Sequence, residues 1–152
     1  MSVGDICRRN VVTIAPDATL SQAASIMREA HVGMLVVVGA PQGEAADRTV
    51  QGVLTDRDIV VTVVGRQVDP GALKVVDVMT RNPLLVAEGA SVAGALGLMR
   101  ADGVRRVPVV GARNQLLGVL SIDDVLDALA DQLAAISGAI RGGQERERTA
   151  RR

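Results

Sequence analysis

The sequence predicts an α+β protein built from two similar repeats, each with the element order β-α-β-β-α, packed sheet to sheet about a pseudo-twofold axis. Residues 52–59 recur as residues 118–125. Both copies read glycine, two aliphatic residues, Thr or Ser, two variable residues, aspartate and an aliphatic residue. Each copy has the pattern of a buried strand that turns into a helix. Neither half can cover its own sheet, so we expect the halves to pack against each other.

The composition limits the class of protein. The chain has 152 residues, 48% of them apolar, and no Phe, Tyr or Trp, so its core is aliphatic. A net charge of zero and the lack of aromatic stacking platforms argue against a nucleic-acid partner. No apolar run approaches the ~20 residues of a membrane span, and no signal segment is evident. We expect a cytoplasmic protein without an intrachain disulfide, because Cys7 is the only cysteine.

Helix starts recur at equivalent positions in the two halves. Thr19 is a predicted N-cap before apolar residues that share one helix face, and Ser91 has the same place in the second half. Thr55 and Asp58 have capping-box spacing, with Asp in place of Glu or Gln. One Thr-x-x-Asp alone indicates only a helix start, but two copies in register favour a functional role. Residues 59–64 have strand propensity, and their repeat position assigns them to a helix.

Turn signals divide the chain. A polar connection at residues 39–48 is longer than its counterpart in the second half, and Asp69, Pro70 and Gly71 form a predicted turn between the repeats. We therefore predict one repeat over residues 1–70 and a second over residues 71–141. Gly142 and Gly143 are predicted to end the last helix, which leaves residues 142–152 as a disordered charged tail.

Together these features resemble the cystathionine beta-synthase (CBS) domain in its tandem form, the Bateman module, and in particular the small stand-alone bacterial proteins of this kind. The resemblance rests on the two repeated motifs and on residues 104–110 as a strand of the second repeat, and it covers residues 3–140. It implies clefts between the repeats that bind AMP, ADP, ATP, NAD or S-adenosylmethionine. The hydroxyl and carboxylate of each motif would hold the ribose, and the helix N-terminus favours phosphate.

The resemblance implies two unequal sites. In site 2, Ser121 and Asp124 would hold the ribose, and Arg105 and Arg106 would face the phosphates, although an exposed strand edge also explains the two arginines. Backbone of residues 32–34 would border the base, opposite residues 6–11. The expected members of site 2 are Ser121, Asp124, Arg105, Arg106, Val32, Gly33, Met34, Cys7 and Val11.

Site 1 departs from the family pattern. Gly33 and Met34 stand where the second repeat has its two arginines, so this site is expected to lack the cationic pair, with Arg57 as the candidate substitute. Its ribose ligands would be a threonine and an aspartate, and Val104 and residues 78–83 would border the site. The expected members of site 1 are Thr55, Asp58, Arg57, Val104, Met79 and Pro83.

No residue set predicts catalysis. His31 and Cys7 lie in different elements without a supporting motif. One histidine and one cysteine are also too few ligands for a usual zinc site. Two pairs of aspartates are interpreted as solvated helix-start carboxylates, with Mg²⁺ beside nucleotide phosphates as the alternative: Asp56 with Asp58, and Asp123 with Asp124. We expect a non-enzymatic regulatory module that binds an adenine nucleotide and acts on an unknown effector protein. The alternatives are a scaffold with empty clefts that serves dimerisation, and an enzyme of small metabolites.

The last helix predicts a homodimer. Its apolar residues alternate at spacings of three and four, as in the a/d seam of a coiled coil, and they are Leu126, Leu129, Leu133, Ile136 and Ile140. Ala130 and Ala134 would widen this stripe, which leaves packing within the chain open. The family resemblance favours a dimer in which four repeats form a flat disc.

Overall fold

The computed structural model describes the backbone of residues 1–39 and 48–150 as an α+β protein with two small sheets. The first half contains α1 (Val3–Ile6), β1 (Thr13–Ile14), α2 (Leu20–Ala30), β2 (Met34–Val38), β3 (Val50–Thr55) and α3 (Asp56–Arg66). The second contains α4 (Val75–Val78), β4 (Thr80–Arg81), β5 (Val86–Ala87), α5 (Val92–Asp102), β6 (Arg106–Val110), β7 (Leu116–Ser121) and α6 (Ile122–Ala150).

The predicted β-α-β-β-α order is confirmed in each half, and with it the fold class of paired repeats. The sequence analysis did not predict the one-turn helices α1 and α4 or the short strand β4. Residues 40–47 of the predicted polar connection lie outside the described residues, as do residues 151 and 152. The division into repeats 1–70 and 71–141 stays a prediction.

Side-chain caps begin the helices where the sequence predicts them. Thr19 Oγ1 accepts a hydrogen bond from the backbone N–H of Gln22 at 3.1 Å, and Ser91 Oγ accepts one from Gly94 at 3.1 Å. Thr55 Oγ1 accepts from the N–H of Asp58 at 3.2 Å. These bonds satisfy donors that would otherwise be unpaired at a helix start. The valine-rich segment after Thr55 is helical, as predicted, and its residues Ile59 and Val63 pack against the core of the first half.

The two sheets have matching strand registers. The first has the order β1-β2-β3-β4 and the second the order β5-β6-β7. In each sheet the first pairing is parallel and the second antiparallel, and the first sheet adds the antiparallel pairing of β3 with β4. Met34 lies opposite Thr55 in the first sheet, and Arg106 lies opposite Ser121 in the second. The hydroxyl residue of each motif therefore ends its strand directly across from residue 34 or residue 106.

Each half contributes a segment to the sheet and core of the other. Strand β4, from the second half, pairs with β3 of the first, and Arg8, from the first half, pairs with Val119 of β7. Val3 of α1 is fully buried in the core cluster of the second half, and Val75 of α4 is fully buried in that of the first. This reciprocal exchange fixes the two halves relative to each other.

The segments exchanged between the halves, which contain Arg8 and Thr80, explain why each motif begins with glycine. A Cβ atom added to Gly118 would lie 2.8 Å from the carbonyl oxygen of Arg8, and one added to Gly52 would lie 2.8 Å from that of Thr80. Real Cβ atoms do not approach backbone oxygens so closely. Glycine is needed at both positions because the exchanged segment passes directly over the strand.

Helix α6 continues beyond the predicted end. The prediction that Gly142 and Gly143 terminate it, with a disordered tail from residue 142, is wrong for the backbone up to Ala150, which is helical. A glycine inside a helix costs about 1 kcal/mol relative to alanine. The Gln, Glu and Arg residues that follow are good helix formers, so the two glycines do not stop it. Within the described residues, no helix is both long and apolar enough to cross a membrane.

Candidate functional site

Two clefts lie beside the two copies of the motif. Cleft 1, at the start of α3, has a volume of about 870 Å³, and cleft 2, at the start of α6, has a volume of about 260 Å³. Small-molecule sites typically measure about 300–1,000 Å³. Cleft 1 falls within that range and cleft 2 just below it. Gly33, Met34 and Arg106 border both clefts and so form the wall between them.

Cleft 2 is built around the Asp124 carboxylate, whose side chain is only 7% exposed. Its Oδ2 accepts hydrogen bonds from the backbone N–H of Ser121 at 3.0 Å and from the Ser121 hydroxyl at 2.5 Å. Its Oδ1 accepts one from Nε of Arg8 at 2.6 Å. In return, Ser121 Oγ accepts from the N–H of Asp124 at 3.1 Å. These bonds fix the direction of the carboxylate at the floor of the cleft.

The surroundings of Asp124 keep it ionised. Burial by itself raises the pKa of this carboxyl, but hydrogen bonds from Ser121 and Arg8, together with the charge of Arg8, outweigh burial and lower the pKa below its usual value. The same ion pair raises the pKa of the Arg8 guanidinium. The cleft therefore presents a charged acceptor with a fixed orientation, which suits hydrogen bonding to hydroxyl groups.

Cleft 1 holds the equivalent pair in a looser arrangement. Asp58 Oδ2 accepts from the backbone N–H of Thr55 at 2.9 Å, which completes the predicted capping box. Within the described part of the chain, Asp58 forms no ion pair comparable to that of Asp124. Arg57 and Asp56 also line this cleft, and Arg105 and Arg106 border it from the second half.

The structure brings most of the predicted site residues to the expected clefts. Cleft 2 is lined by these members of predicted site 2: Ser121, Asp124, Arg106, Val32, Gly33, Met34 and Val11. Cleft 1 is lined by these members of predicted site 1: Thr55, Asp58, Arg57, Val104 and Pro83. The binding roles of these residues stay predictions.

Three placements need correction. Arg105 lines cleft 1 and not cleft 2, so cleft 1 is bordered by the cationic pair that the sequence assigned to site 2 alone. Cys7 and Met79 line neither of these two clefts. Their sulfur atoms lie against the two motif glycines, 2.9 Å and 2.7 Å from where a Cβ atom on Gly118 and on Gly52 would be, because both residues belong to the exchanged segments.

The sequence analysis placed two segments at the clefts without singling out their polar residues. Arg8 and Asn10 border cleft 2 within residues 6–11, and Thr80 and Asn82 border cleft 1 within residues 78–83. His31, which borders cleft 2, was not expected there. The repeat itself carried a signal, since Asn10 matches Asn82 and Arg8 matches Thr80 at the same offset. Among the described residues, no three His, Cys, Asp or Glu side chains come close enough together to hold a metal ion.

A family model and the sequence relatives of this chain indicate the same protein family. The family model described as CBS domain matches residues 3–65 and 75–131. An uncharacterized protein of Methanopyrus kandleri is 32% identical over 145 residues, which span 95% of this chain and 71% of that protein. The CBS domain-containing protein YhcV of Bacillus subtilis is 33% identical over 124 residues, or 82% of each chain.

Solved structures agree with the sequence relatives. CBSX2 of Arabidopsis thaliana, in complex with AMP, superposes with a TM-score of 0.71 at 26% identity, over 86% of this chain and 96% of that one. The hexameric CBS-CP12 protein from bloom-forming cyanobacteria gives a TM-score of 0.70 at 30% identity, over 83% of this chain and 69% of that one.

Proposed function

The chain belongs to the CBS-domain family as a tandem pair of repeats, and we propose that it binds adenosine-containing ligands in its two clefts. One observation carries the proposal: a hydroxyl and a carboxylate stand at the start of a helix in both clefts, at positions that the repeat makes equivalent. A carboxylate has about four acceptor positions. Described residues occupy three of those of Asp124 and one of those of Asp58, so Asp124 can accept from one ribose hydroxyl and Asp58 from both. The AMP complex of CBSX2, which has the same fold, supports this ligand class.

In cleft 2, Ser121 and Asp124 would hold the ribose, and Val32, Gly33 and Met34 would border the base with Val11 opposite. Arg106 would face the phosphates. The chain has no aromatic residue to stack on adenine, so aliphatic walls and backbone groups must recognise it. This requirement fits the Val-Gly-Met segment that lines the cleft.

In cleft 1, Thr55 and Asp58 would hold the ribose, between Val104 and Pro83. Arg57, Arg105 and Arg106 all border this cleft, so it has more cationic groups for a phosphate chain than the sequence predicted. Together with its larger volume, this favours ligands with longer phosphate chains, such as ATP, in cleft 1. Mg²⁺ would then accompany the phosphates and would not be held by protein ligands alone.

We further propose that the protein is regulatory and not an enzyme, and that it acts as a homodimer. The five apolar residues of the α6 seam are exposed, with 43% to 66% of each accessible to solvent: Leu126, Leu129, Leu133, Ile136 and Ile140. A soluble monomer rarely leaves such a continuous apolar stripe open. A second copy of α6 would cover it with the seam spacing that the sequence shows. The cytoplasmic location stays a prediction, and the effector protein is unknown.

Thermal denaturation tests the ligand class. A ligand that binds only the folded protein stabilises it by about 2.7 kcal/mol at a hundredfold excess over its Kd. We would measure melting with AMP, ADP, ATP, NAD and S-adenosylmethionine, then calorimetry with any ligand that raises the Tm. Asp58→Ala and Asp124→Ala form a matched pair that assigns each ligand to a cleft. If none of the compounds raises the Tm at millimolar concentration, the scaffold function is supported instead.

A further inference from the structure

Arg8 differs from the other cations of cleft 2 in how firmly its place is fixed. Its backbone N–H donates to the carbonyl oxygen of Val119 at 2.9 Å, and its own carbonyl oxygen accepts from the N–H of Val119 at 2.9 Å. Its Nε donates to Asp124 at 2.6 Å. The residue is therefore held at both its backbone and its side chain, at the wall of cleft 2.

This arrangement leaves part of the guanidinium unused. Only Nε contacts Asp124, and within the described part of the chain the terminal nitrogens Nη1 and Nη2 form no hydrogen bond. The Arg8 side chain is 71% exposed although its partner carboxylate is almost buried. A guanidinium anchored through Nε can still present the N–H groups of its terminal nitrogens to an anion, which is the geometry that suits phosphate.

We propose that Arg8 is the specificity-determining residue of cleft 2, where it binds the phosphate of a nucleotide whose ribose is held by Asp124. The proposal rests on the proposed function and goes beyond it, because it names the residue that distinguishes a nucleotide from a nucleoside. In this arrangement Asp124 also acts as a positioning residue, because it aims the Arg8 guanidinium. Arg106 also borders cleft 2, whereas Arg105 borders cleft 1 alone.

The equivalent position in cleft 1 strengthens the inference. Thr80 takes the place of Arg8 there. It pairs with Val53 as Arg8 pairs with Val119, and it also lines its cleft. Threonine has no charge, so the two clefts share one backbone frame and differ in this cation. Arg8 therefore adds a phosphate donor to cleft 2, besides Arg106, at a position where cleft 1 has an uncharged side chain.

Calorimetry with adenosine and AMP tests the assignment in an Asp58→Ala background, which confines ribose binding to cleft 2. We expect Arg8→Gln to weaken AMP binding by about tenfold or more, which is the loss of a charge-assisted hydrogen bond, and to leave adenosine within a factor of about two. Arg8→Lys keeps the charge but has one nitrogen, in place of a planar fork, to share between Asp124 and phosphate, so its loss should be intermediate. Melting temperatures of all variants show whether they remain folded.

Arg9→Gln is the matched control. Arg9 is the next residue, pairs with Glu88 at 2.5 Å and lines neither of these two clefts, so this variant should bind AMP as the parent does. An equal loss of adenosine and AMP in Arg8→Gln, or no loss of AMP, would overturn the role of Arg8 while the proposed function stands. A parent protein that binds neither compound would overturn both.

Discussion

The two motif aspartates should contribute unequally to stability, although they occupy equivalent positions. Asp124 accepts three hydrogen bonds, from the N–H and the hydroxyl of Ser121 and from Arg8, whereas Asp58 accepts one, from the N–H of Thr55, among the bonds of the described residues. Replacing each aspartate by alanine removes the same atoms from the same place in the fold. The variants Asp58→Ala and Asp124→Ala therefore isolate the effect of the surroundings.

The expected magnitudes follow from the partners that each truncation leaves unpaired. Asp58→Ala removes half of a capping box at a half-buried site, a loss of about 1 kcal/mol in the free energy of unfolding. Asp124→Ala removes the same cap and also leaves the buried hydroxyl of Ser121 without its acceptor, which adds about 1–3 kcal/mol. The Arg8 side chain is mostly exposed, so solvent screens its ion pair and the loss of that pair adds little. We expect a total loss of about 2–4 kcal/mol for Asp124→Ala.

Urea unfolding followed by circular dichroism, at pH 7 without ligand, measures both losses. Asp123→Ala is the control, because Asp123 lies in the same first helical turn, accepts none of these bonds, and should lose only the dipole interaction of about 0.3–1 kcal/mol. Equal losses for Asp58→Ala and Asp124→Ala would refute the reasoning, because they would mean that the additional bonds of Asp124 add nothing. A larger loss at Asp58 would refute it more strongly.

Three further predictions concern the same elements. The folded protein lowers the pKa of Asp124 below its unfolded value of about 3.9. The contribution of the ionised Asp124 to the free energy of unfolding is therefore complete above that pH and is lost as pH falls through the lower, folded pKa. The difference in stability between the parent and Asp124→Asn should shrink over the same range of pH. Leu133→Glu with Ile136→Glu should give a folded monomer by light scattering and circular dichroism; a parent that is already monomeric would contradict the seam. Gly118→Ala should destabilise by more than about 1 kcal/mol in urea unfolding, because the new Cβ meets backbone, whereas Gly138→Ala, which meets nothing within 4 Å, should stabilise by up to about 1 kcal/mol.

Local sequence signals located the motif strands and the helix starts correctly, but they could not locate the exchanged segments. Helices α1 and α4 have 4 residues each, and strand β4 has 2, which is too short for a periodic pattern to indicate structure. Their positions come from burial of Val3 and Val75 in the opposite core, a tertiary contact between residues far apart in the chain. The helix beyond Gly142 was missed for a different reason, since a glycine pair is a statistical stop signal and not a steric one.

The misplacement of Arg105 has a geometric cause. Arg105 and Arg106 are adjacent in sequence, and a linear comparison with residues 33 and 34 assigns both to one site. In the structure both arginines border cleft 1, and only Arg106, which lies in the wall between the clefts, also borders cleft 2. The resemblance placed residues 6–11 in the same site as Asp124, but it gave no sign that Arg8 pairs with this aspartate, 116 positions further along the chain.

The exchange of segments also explains how one repeated design gives two different sites. Equivalent backbone pairings carry Arg8 across β7 and Thr80 across β3, so the frame around each motif aspartate is the same. A difference in ligand preference between the clefts must then come from side chains that the frame presents. Arg8 is such a side chain, since it belongs to the first repeat and pairs with the aspartate of the second. Cleft 2 therefore depends on contacts from both halves. A ligand that contacts both Arg8 and Asp124 would bind across the boundary between the repeats. Its binding would therefore favour one relative position of the two repeats.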